Sequence, residues 1–309
     1  MSGDLKNRSY KHYFLIVLKG MAMGAADVVP GVSGGTIAFI SGIYQELVET
    51  ISGLNLTLLE ILKKEGFLAV WNKGNFSFIT SLFIGILISV FSLMKLVHFL
   101  LENHPIKLWA FFFGLVLASI LFIGKQIKNW NLLNVVVLLI SAIVAYSITK
   151  LGTSTSSDNL FYLFMSGAIA SCAMILPGIS GSFILVLLGA YSSITKAVHD
   201  FDLNKIIVVA LGVITGLLSF SHLLKWLFKH YENLTLAILT GFVLGSLNKI
   251  WPWKQTLESV IIEGKEVILK ESSILPHNYS SEPHLLWAIV LGCTGFGLIF
   301  ILEKIAKHK

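Results

Sequence analysis

Two short polar segments contain the residues with the clearest chemical potential, and each interrupts apolar sequence. The first is Pro30-Gly31-Val32-Ser33-Gly34-Gly35-Thr36, and the second is Pro177-Gly178-Ile179-Ser180-Gly181-Ser182. Proline lacks the amide donor that a helix needs, and glycine adds backbone freedom, so each segment breaks a helix. A helix that starts after such a break presents free amides, to which the serine and threonine hydroxyls add donors. Both segments therefore suit an anion, such as a phosphate or carboxylate, or a coordinated ion.

The prolines, glycines and hydroxyl residues of both segments are our candidate binding residues. They are Pro30, Gly31, Ser33, Gly34, Gly35 and Thr36, together with Pro177, Gly178, Ser180, Gly181 and Ser182. The alternative is that the glycines only permit a tight turn, which the serines cap. Because paired interruptions at corresponding positions mark the binding site of many transporters, we favour a site.

Four charged or titratable residues are further candidates, for ion coupling or for contact with the anion. Asp27 lies three residues before Pro30 in apolar sequence, where a carboxylate is costly and functional by default. It can carry a coupling proton, bind Na⁺, or act as a cap. Lys19 can pair with Asp27, attract an anion or extend to the membrane interface. Lys95 and His222 match one another between the two halves, which indicates either a polar cavity lining or interfacial side chains.

The composition identifies the class of protein that must position these residues. Of 309 residues, 55% are hydrophobic and 13% are charged, whereas a soluble domain is typically about 25% charged. Several apolar stretches approach the ~20 residues that cross a bilayer. We therefore predict an all-α polytopic membrane protein. Its formal charge of +6 comes almost entirely from lysines, since Arg8 is the only arginine. The lack of further arginines argues against a nucleic-acid partner.

An internal repeat divides the chain, because residues around the two polar segments match at a constant offset. Matched pairs include Gly20 and Gly167, Pro30 and Pro177, Gly42 and Gly189, and Tyr44 and Tyr191. The first repeat, 1–150, has a re-entrant broken hairpin over 14–51 and spans over 78–101, 107–123 and 132–149. The second, 151–309, has a hairpin over 161–198 and spans over 206–228, 234–248 and 285–302.

The number of spans sets the predicted orientation of the repeats. Each repeat has three, an odd number, so the second must insert upside down relative to the first. The two polar segments then dip toward each other from opposite sides, which suits alternating access. Lysine placement favours both termini on the cytoplasmic side. We expect each hairpin arm to be one helix of about 16 residues, roughly 24 Å long.

Two other segments lie between these elements. The stretch Leu54–Phe76 is amphipathic and basic, which is typical of a helix on the inner leaflet. The predicted outer loop Lys249–His284 carries no motif from which a role can be inferred. We expect no metal and no cofactor apart from a coupling ion, H⁺ or Na⁺, and no sequence pattern indicates an oligomeric state.

The run from Gly20 to Thr36 resembles the start of a bacterial membrane family formerly known as a domain of unknown function. That family is associated with polyprenyl-phosphate transport under the name PopT, and Leu176–Leu185 resembles its second motif. The likeness covers essentially the whole chain. It implies a translocase rather than an enzyme, a flippase that recycles undecaprenyl phosphate across the bacterial cytoplasmic membrane. The implied partners are a polyprenyl-phosphate lipid and membrane lipids.

The resemblance also implies a site, with the lipid headgroup held between the two polar segments. The implied site residues are Asp27, Pro30, Gly31, Ser33, Gly34, Gly35, Pro177, Gly178, Ser180 and Gly181. A second resemblance, to membrane polyprenyl-diphosphate phosphatases, supplies one alternative. Their loop carries an arginine where this chain has Gly34 and Gly181, and phosphoryl transfer needs such cationic stabilisation. An ion-coupled small-anion transporter or channel is a further alternative.

Overall fold

The computed structural model describes residues 9–29, 32–152, 157–262 and 265–307. Within these ranges the chain forms fourteen α-helices and a single two-stranded sheet, so the predicted all-α class is confirmed. The helices are α1 Tyr10–Val28, α2 Gly34–Ile40, α3 Tyr44–Gly53, α4 Thr57–Glu65, α5 Phe67–Lys73, α6 Phe76–Asn103, α7 Pro105–Gly124, α8 Leu132–Lys150, α9 Leu160–Ile175, α10 Gly181–Leu187, α11 Tyr191–His199, α12 Leu203–His230, α13 Glu232–Ser246 and α14 Leu285–Lys307.

Long apolar helices make this a polytopic membrane protein. Among the described residues, α6, α7, α8, α12 and α13 with the 3₁₀ turn that follows it are long and apolar enough to cross a bilayer. Helix α14 has 23 residues and is apolar over its first four turns. These six helices occupy the positions of the six predicted spans. The inverted orientation of the two repeats stays a prediction.

The second arm of each hairpin differs from the single helix expected from sequence. Both arms break at a glycine with positive φ, Gly42 at 71° and Gly189 at 66°, so α2–α3 and α10–α11 are separate helices. Helices α10 and α11 differ in direction by 107°. A left-handed glycine closes a helix because the next amide reaches back to a carbonyl five residues earlier. The two such bonds join Ile43 to Ala38 at 3.0 Å and Ala190 to Leu185 at 2.9 Å.

Equivalent helices of the two predicted repeats pack in the same way. Helix α1 packs on α6, and α9 packs on α12 in the same manner. These contacts are close because small residues face the partner backbone: a Cβ on Gly20 would collide with the Leu82 carbonyl, and one on Gly212 with that of Phe164. Helix α7 packs on α14 and α8 on α13, so helices of the two repeats pack against each other, and the largest hydrophobic cluster contains residues of both.

The predicted outer loop contains a β-hairpin that the sequence analysis did not identify. Strand β1, Lys254–Ile262, pairs antiparallel with β2, Lys265–Ser273. Four of the nine residues of β1 are β-branched, which favours extended structure. The base of the hairpin is fastened by two indole N–H groups: Trp251 donates to Ile274 O at 2.8 Å and Trp253 to Pro283 O at 2.9 Å.

Candidate binding site

The two polar segments meet, as their positions in the predicted repeats suggested. The Gly178 amide donates to the Thr36 hydroxyl oxygen at 2.9 Å, and the Ser33 hydroxyl donates to the Leu176 carbonyl at 3.4 Å. Gly35 lies so close to the other segment that a Cβ there would be 2.9 Å from the Ile175 carbonyl. Pro30 and Gly31 lie outside the described residues, and Pro177 is buried.

The described residues of the first segment, 32–36, are buried, and their polar groups bind groups of the chain itself. Ser33 and Thr36 are 2% and 1% exposed, and Gly34 and Gly35 are buried with them. The Gly34 amide donates to the Asp27 carboxylate at 2.7 Å, and the Gly35 amide donates to the Ser33 hydroxyl at 3.2 Å. The amides that the sequence analysis left free for an anion are therefore occupied by groups of the chain itself.

The second segment is open to its surroundings. Met174 stands where the first repeat has Asp27, so no carboxylate among the described residues caps α10, and the Ser180 hydroxyl makes no capping bond to that helix. The Ser180 and Ser182 oxygens are 2.8 Å apart, with Ser180 half-buried and Ser182 exposed. Gly178 and Ser180 line a small cavity beside this pair. The two segments are thus not equivalent in this conformation: the accessible hydroxyl donors belong to the second.

Helix α1 holds both ends of α2. Asp27 binds the amide at the start of α2, and the Lys19 ammonium donates to the Ser41 carbonyl at its end, at 2.7 Å. Both charges complement the helix dipole, negative at the N-terminus and positive at the C-terminus. Lys19 therefore binds the opposite end of α2 from Asp27, which differs from the direct pairing considered from sequence.

The matched pair Lys95 and His222 does not join the segments. Both side chains are exposed, on α6 and α12, and His222 Nδ1 lies 2.7 Å from the Leu218 carbonyl of its own helix. No hydrogen bond found among the described residues connects either to the two polar segments. Nor do three His, Cys, Asp or Glu side chains gather there as potential metal ligands, within the ranges that are described.

The sequence analysis did not identify a cluster of charged side chains that lies near the second segment. The Lys249 and Lys254 ammonium groups lie 3.3 and 3.4 Å from the same Glu271 oxygen. Burial lowers the pKa of Lys254 to about 8, although the Glu271 carboxylate raises it in part. Burial alone would raise the pKa of Glu271, but Lys254 and Lys249 lower it below its usual range. Sequence alone hides this cluster because the β-hairpin brings Glu271 back to Lys249.

Comparison with known proteins identifies the family. Residues 23–268 match the family model described as undecaprenyl phosphate translocase-like. The chain belongs to this family. A protein of Vibrio cholerae serotype O1 named polyprenyl-phosphate transporter is 46% identical over 96% of this chain and 98% of its own length. A Staphylococcus aureus protein of the same name is 32% identical over 76% of this chain and 85% of its own length. No solved structure matches the chain significantly.

In this translocase-like chain, the bond between Thr36 and Gly178 provides a test of the contact between segments. Thr36→Val keeps the shape of the side chain but leaves the Gly178 amide without its acceptor. We expect a loss of about 1–3 kcal/mol in unfolding free energy, because the Gly178 donor is left unsatisfied in a partly buried contact. Thr36→Ser retains the hydroxyl and should lose less than half as much. Thermal unfolding in detergent measures both, and equal stability of Thr36→Val and wild type would contradict the role of this bond.

Gly178 itself has a conformation that other residues avoid. Its φ is 91°, and a Cβ would lie 2.7 Å from the Ser246 hydroxyl and 3.0 Å from Val243 Cα. Strain and overlap together should cost Gly178→Ala about 2–4 kcal/mol. Gly53→Ala is the matched control, because a Cβ at Gly53 meets no atom within 4 Å. Thermal unfolding should separate the two variants, and equal melting temperatures would show that the second segment has room for a side chain.

Proposed function

We propose that this chain translocates polyprenyl phosphate, specifically undecaprenyl phosphate, between the leaflets of the bacterial cytoplasmic membrane. Membership of the undecaprenyl phosphate translocase-like family supports the substrate class. Two relatives at 46% and 32% identity are named polyprenyl-phosphate transporters, and both names describe transporters rather than enzymes. The observation on which the proposal depends most is the contact between the two broken-helix segments, with hydroxyl donors accessible on one of them.

The phosphate headgroup in this proposal binds between the segments and is held by the second. Ser180 and Ser182 offer two hydroxyls 2.8 Å apart, a spacing at which both can donate to oxygens of one phosphate. The hydroxyls of Ser33 and Thr36 form hydrogen bonds within the protein, to the Leu176 carbonyl and the Gly178 amide, and so hold the second segment in place. The isoprenoid tail stays in lipid, which avoids a cost of about 0.8 kcal/mol per CH₂ group. Only the headgroup then has to lose its water, and hydrogen bonds from the protein have to compensate for that loss.

Translocation requires access to alternate between the two sides of the membrane. The present arrangement has the first segment closed and the second open. In the predicted inverted repeats, the opposite conformation would open the first segment and close the second. With both termini cytoplasmic, the open second segment faces outward, so this conformation suits uptake of the headgroup from the outer leaflet.

Asp27 is the candidate for coupling transport to an ion. Its carboxylate binds the Gly34 amide at the start of α2, so the position of the first segment depends on this group. Protonation, or binding of Na⁺, would weaken that hydrogen bond and release the start of α2. The first segment could then open as the second closes, which links ion binding to the change in access.

The experiment that tests the function uses purified protein in liposomes. Labelled undecaprenyl phosphate should move between leaflets at a rate that depends on the protein, whereas undecaprenyl diphosphate in parallel liposomes should release no phosphate. Phosphate release would assign the chain to the phosphatases despite Gly34 and Gly181 at the arginine positions. If neither lipid responds while inorganic phosphate crosses, the protein is a small-anion transporter.

A further inference from the structure

The small cavity beside the second segment adjoins a second cavity, which is lined by the lysine cluster of the predicted outer loop. Gly178 and Ser180 line the first cavity. A neighbouring cavity is lined by Lys254 and Glu271. The two share Thr149, Phe183 and Lys249 in their walls, so Lys249 borders both the cavity at Ser180 and the cavity at Lys254 and Glu271.

In the described part of this cluster, lysines outnumber carboxylates. Among the side chains that the structure describes, the ammonium groups of Lys249 and Lys254 share the one carboxylate of Glu271, and Lys150 adds a third lysine to the cavity wall. The Lys249 and Lys254 side chains are 25% and 12% exposed, so solvent screens their charges only partly. The described residues that line the cavity therefore carry a net positive charge, which attracts an anion.

Aromatic rings hold the two ammonium groups in place. Lys249 Nζ lies 4.7 Å from the centre of the Phe183 ring, and Lys254 Nζ lies 4.3 Å from that of Trp109. Lys254 also donates to the Lys249 carbonyl at 2.6 Å. Such contacts preorganise a cation without neutralising it, because a ring contributes only a quadrupole. Lys249 can thus exchange Glu271 for an incoming oxyanion with little movement of its neighbours.

We propose that Lys249, supported by Lys254, captures the phosphate monoester headgroup at the mouth of the second segment and passes it to the Ser180 hydroxyl. A phosphate monoester carries about −1.5 to −2 charges at neutral pH, so it competes well with one carboxylate for an ammonium group. Glu271 is the counter-ion that the headgroup displaces. This inference rests on the proposed function, since it names the cation that the same site uses.

The test measures binding of labelled farnesyl phosphate, a short-chain polyprenyl phosphate, to protein in nanodiscs. Lys249→Ala should raise the Kd at least about tenfold, the effect of one lost hydrogen bond to a charged group. Lys249→Arg keeps the charge and should stay near wild type. Glu271→Gln should lower the Kd, because it removes the competing carboxylate, and a merely structural role of the cluster would not produce a gain in affinity. Thermal unfolding checks that each variant is folded.

Lys128→Ala is the matched control, because Lys128 forms an exposed ion pair with Glu232 away from this cavity. Competition with inorganic phosphate distinguishes a lipid headgroup from free phosphate as the ligand. If inorganic phosphate displaces farnesyl phosphate only at far higher concentrations, the ligand is a lipid headgroup. If the two compete with equal potency, the site binds free phosphate, and headgroup capture is overturned. Unchanged binding in folded Lys249→Ala and Glu271→Gln also overturns the inference, even if wild-type liposomes flip undecaprenyl phosphate. If Lys249 is needed for binding but wild-type liposomes show no flipping, the inference stands and the proposed function fails.

Discussion

Replacing Asp27 with alanine is expected to reduce polyprenyl-phosphate flipping at least tenfold. The Gly34 amide, buried at the start of α2, would lose its acceptor, and an unsatisfied buried donor costs about 1–3 kcal/mol. The start of α2 would then no longer be fastened to α1, although Lys19 would still bind the end of α2. The measurement is the initial flipping rate in liposomes, normalised to the amount of folded protein.

Asp27→Asn separates the structural role of this residue from the proposed coupling role. The asparagine oxygen still accepts from the Gly34 amide, so α2 should keep its position and the protein its stability. The amide neither releases a proton nor attracts Na⁺ as a carboxylate does, so flipping should become insensitive to an imposed pH or Na⁺ gradient. Full gradient dependence in Asp27→Asn would remove Asp27 as the coupling group and leave it the cap of α2.

Removing both accessible hydroxyls of the second segment should have the second large effect. We expect the double variant Ser180→Ala, Ser182→Ala to flip undecaprenyl phosphate at least about tenfold more slowly. A hydrogen bond to a charged group contributes about 1.5–3 kcal/mol, and tenfold corresponds to 1.4 kcal/mol. Stability should change little, because these hydroxyls bind each other rather than the buried backbone.

A serine distant from the segments provides the control for this variant. Ser92 is exposed on α6 and bonds only the Ile88 and Ser89 carbonyls of its own helix, so Ser92→Ala should flip lipid at the wild-type rate. Ser33→Ala should behave differently from both, since Ser33 is buried and its loss should lower the melting temperature. A fully active Ser180→Ala, Ser182→Ala protein would show that the headgroup does not use these hydroxyls.

The sequence sufficed to predict the helical class and the pairing of the two polar segments. The class follows from apolar stretches of bilayer length. The pairing follows from the shared Pro-Gly-x-Ser-Gly pattern, which the Gly178–Thr36 bond now shows in contact. The breaks at Gly42 and Gly189 were missed, although these glycines were matched between repeats. In apolar sequence, glycine serves both close helix packing and a left-handed turn, and only the backbone distinguishes them.

The differences between the two segments could not be predicted, because they depend on which residues contact each segment in the folded protein. Asp27 is seven residues from Gly34, and its role as a cap requires α1 and α2 to fold against each other. Met174 at the corresponding position leaves the second segment open. The difference between Asp27 and Met174 is visible in the sequence, but its effect can be inferred only once the contact between Asp27 and Gly34 is known. The cluster of Lys249 and Glu271 likewise exists only because a β-hairpin connects them.

The central claim is that the phosphate group of the lipid binds at the hydroxyls of the second segment. The most direct test is protection of Ser182→Cys, in a background without Cys172 and Cys293, from a membrane-impermeant thiol reagent. We predict that farnesyl phosphate slows modification at least several-fold, whereas farnesol, with the same tail and no phosphate, leaves the rate unchanged. Equal rates with and without farnesyl phosphate, at concentrations that support flipping, would contradict the account.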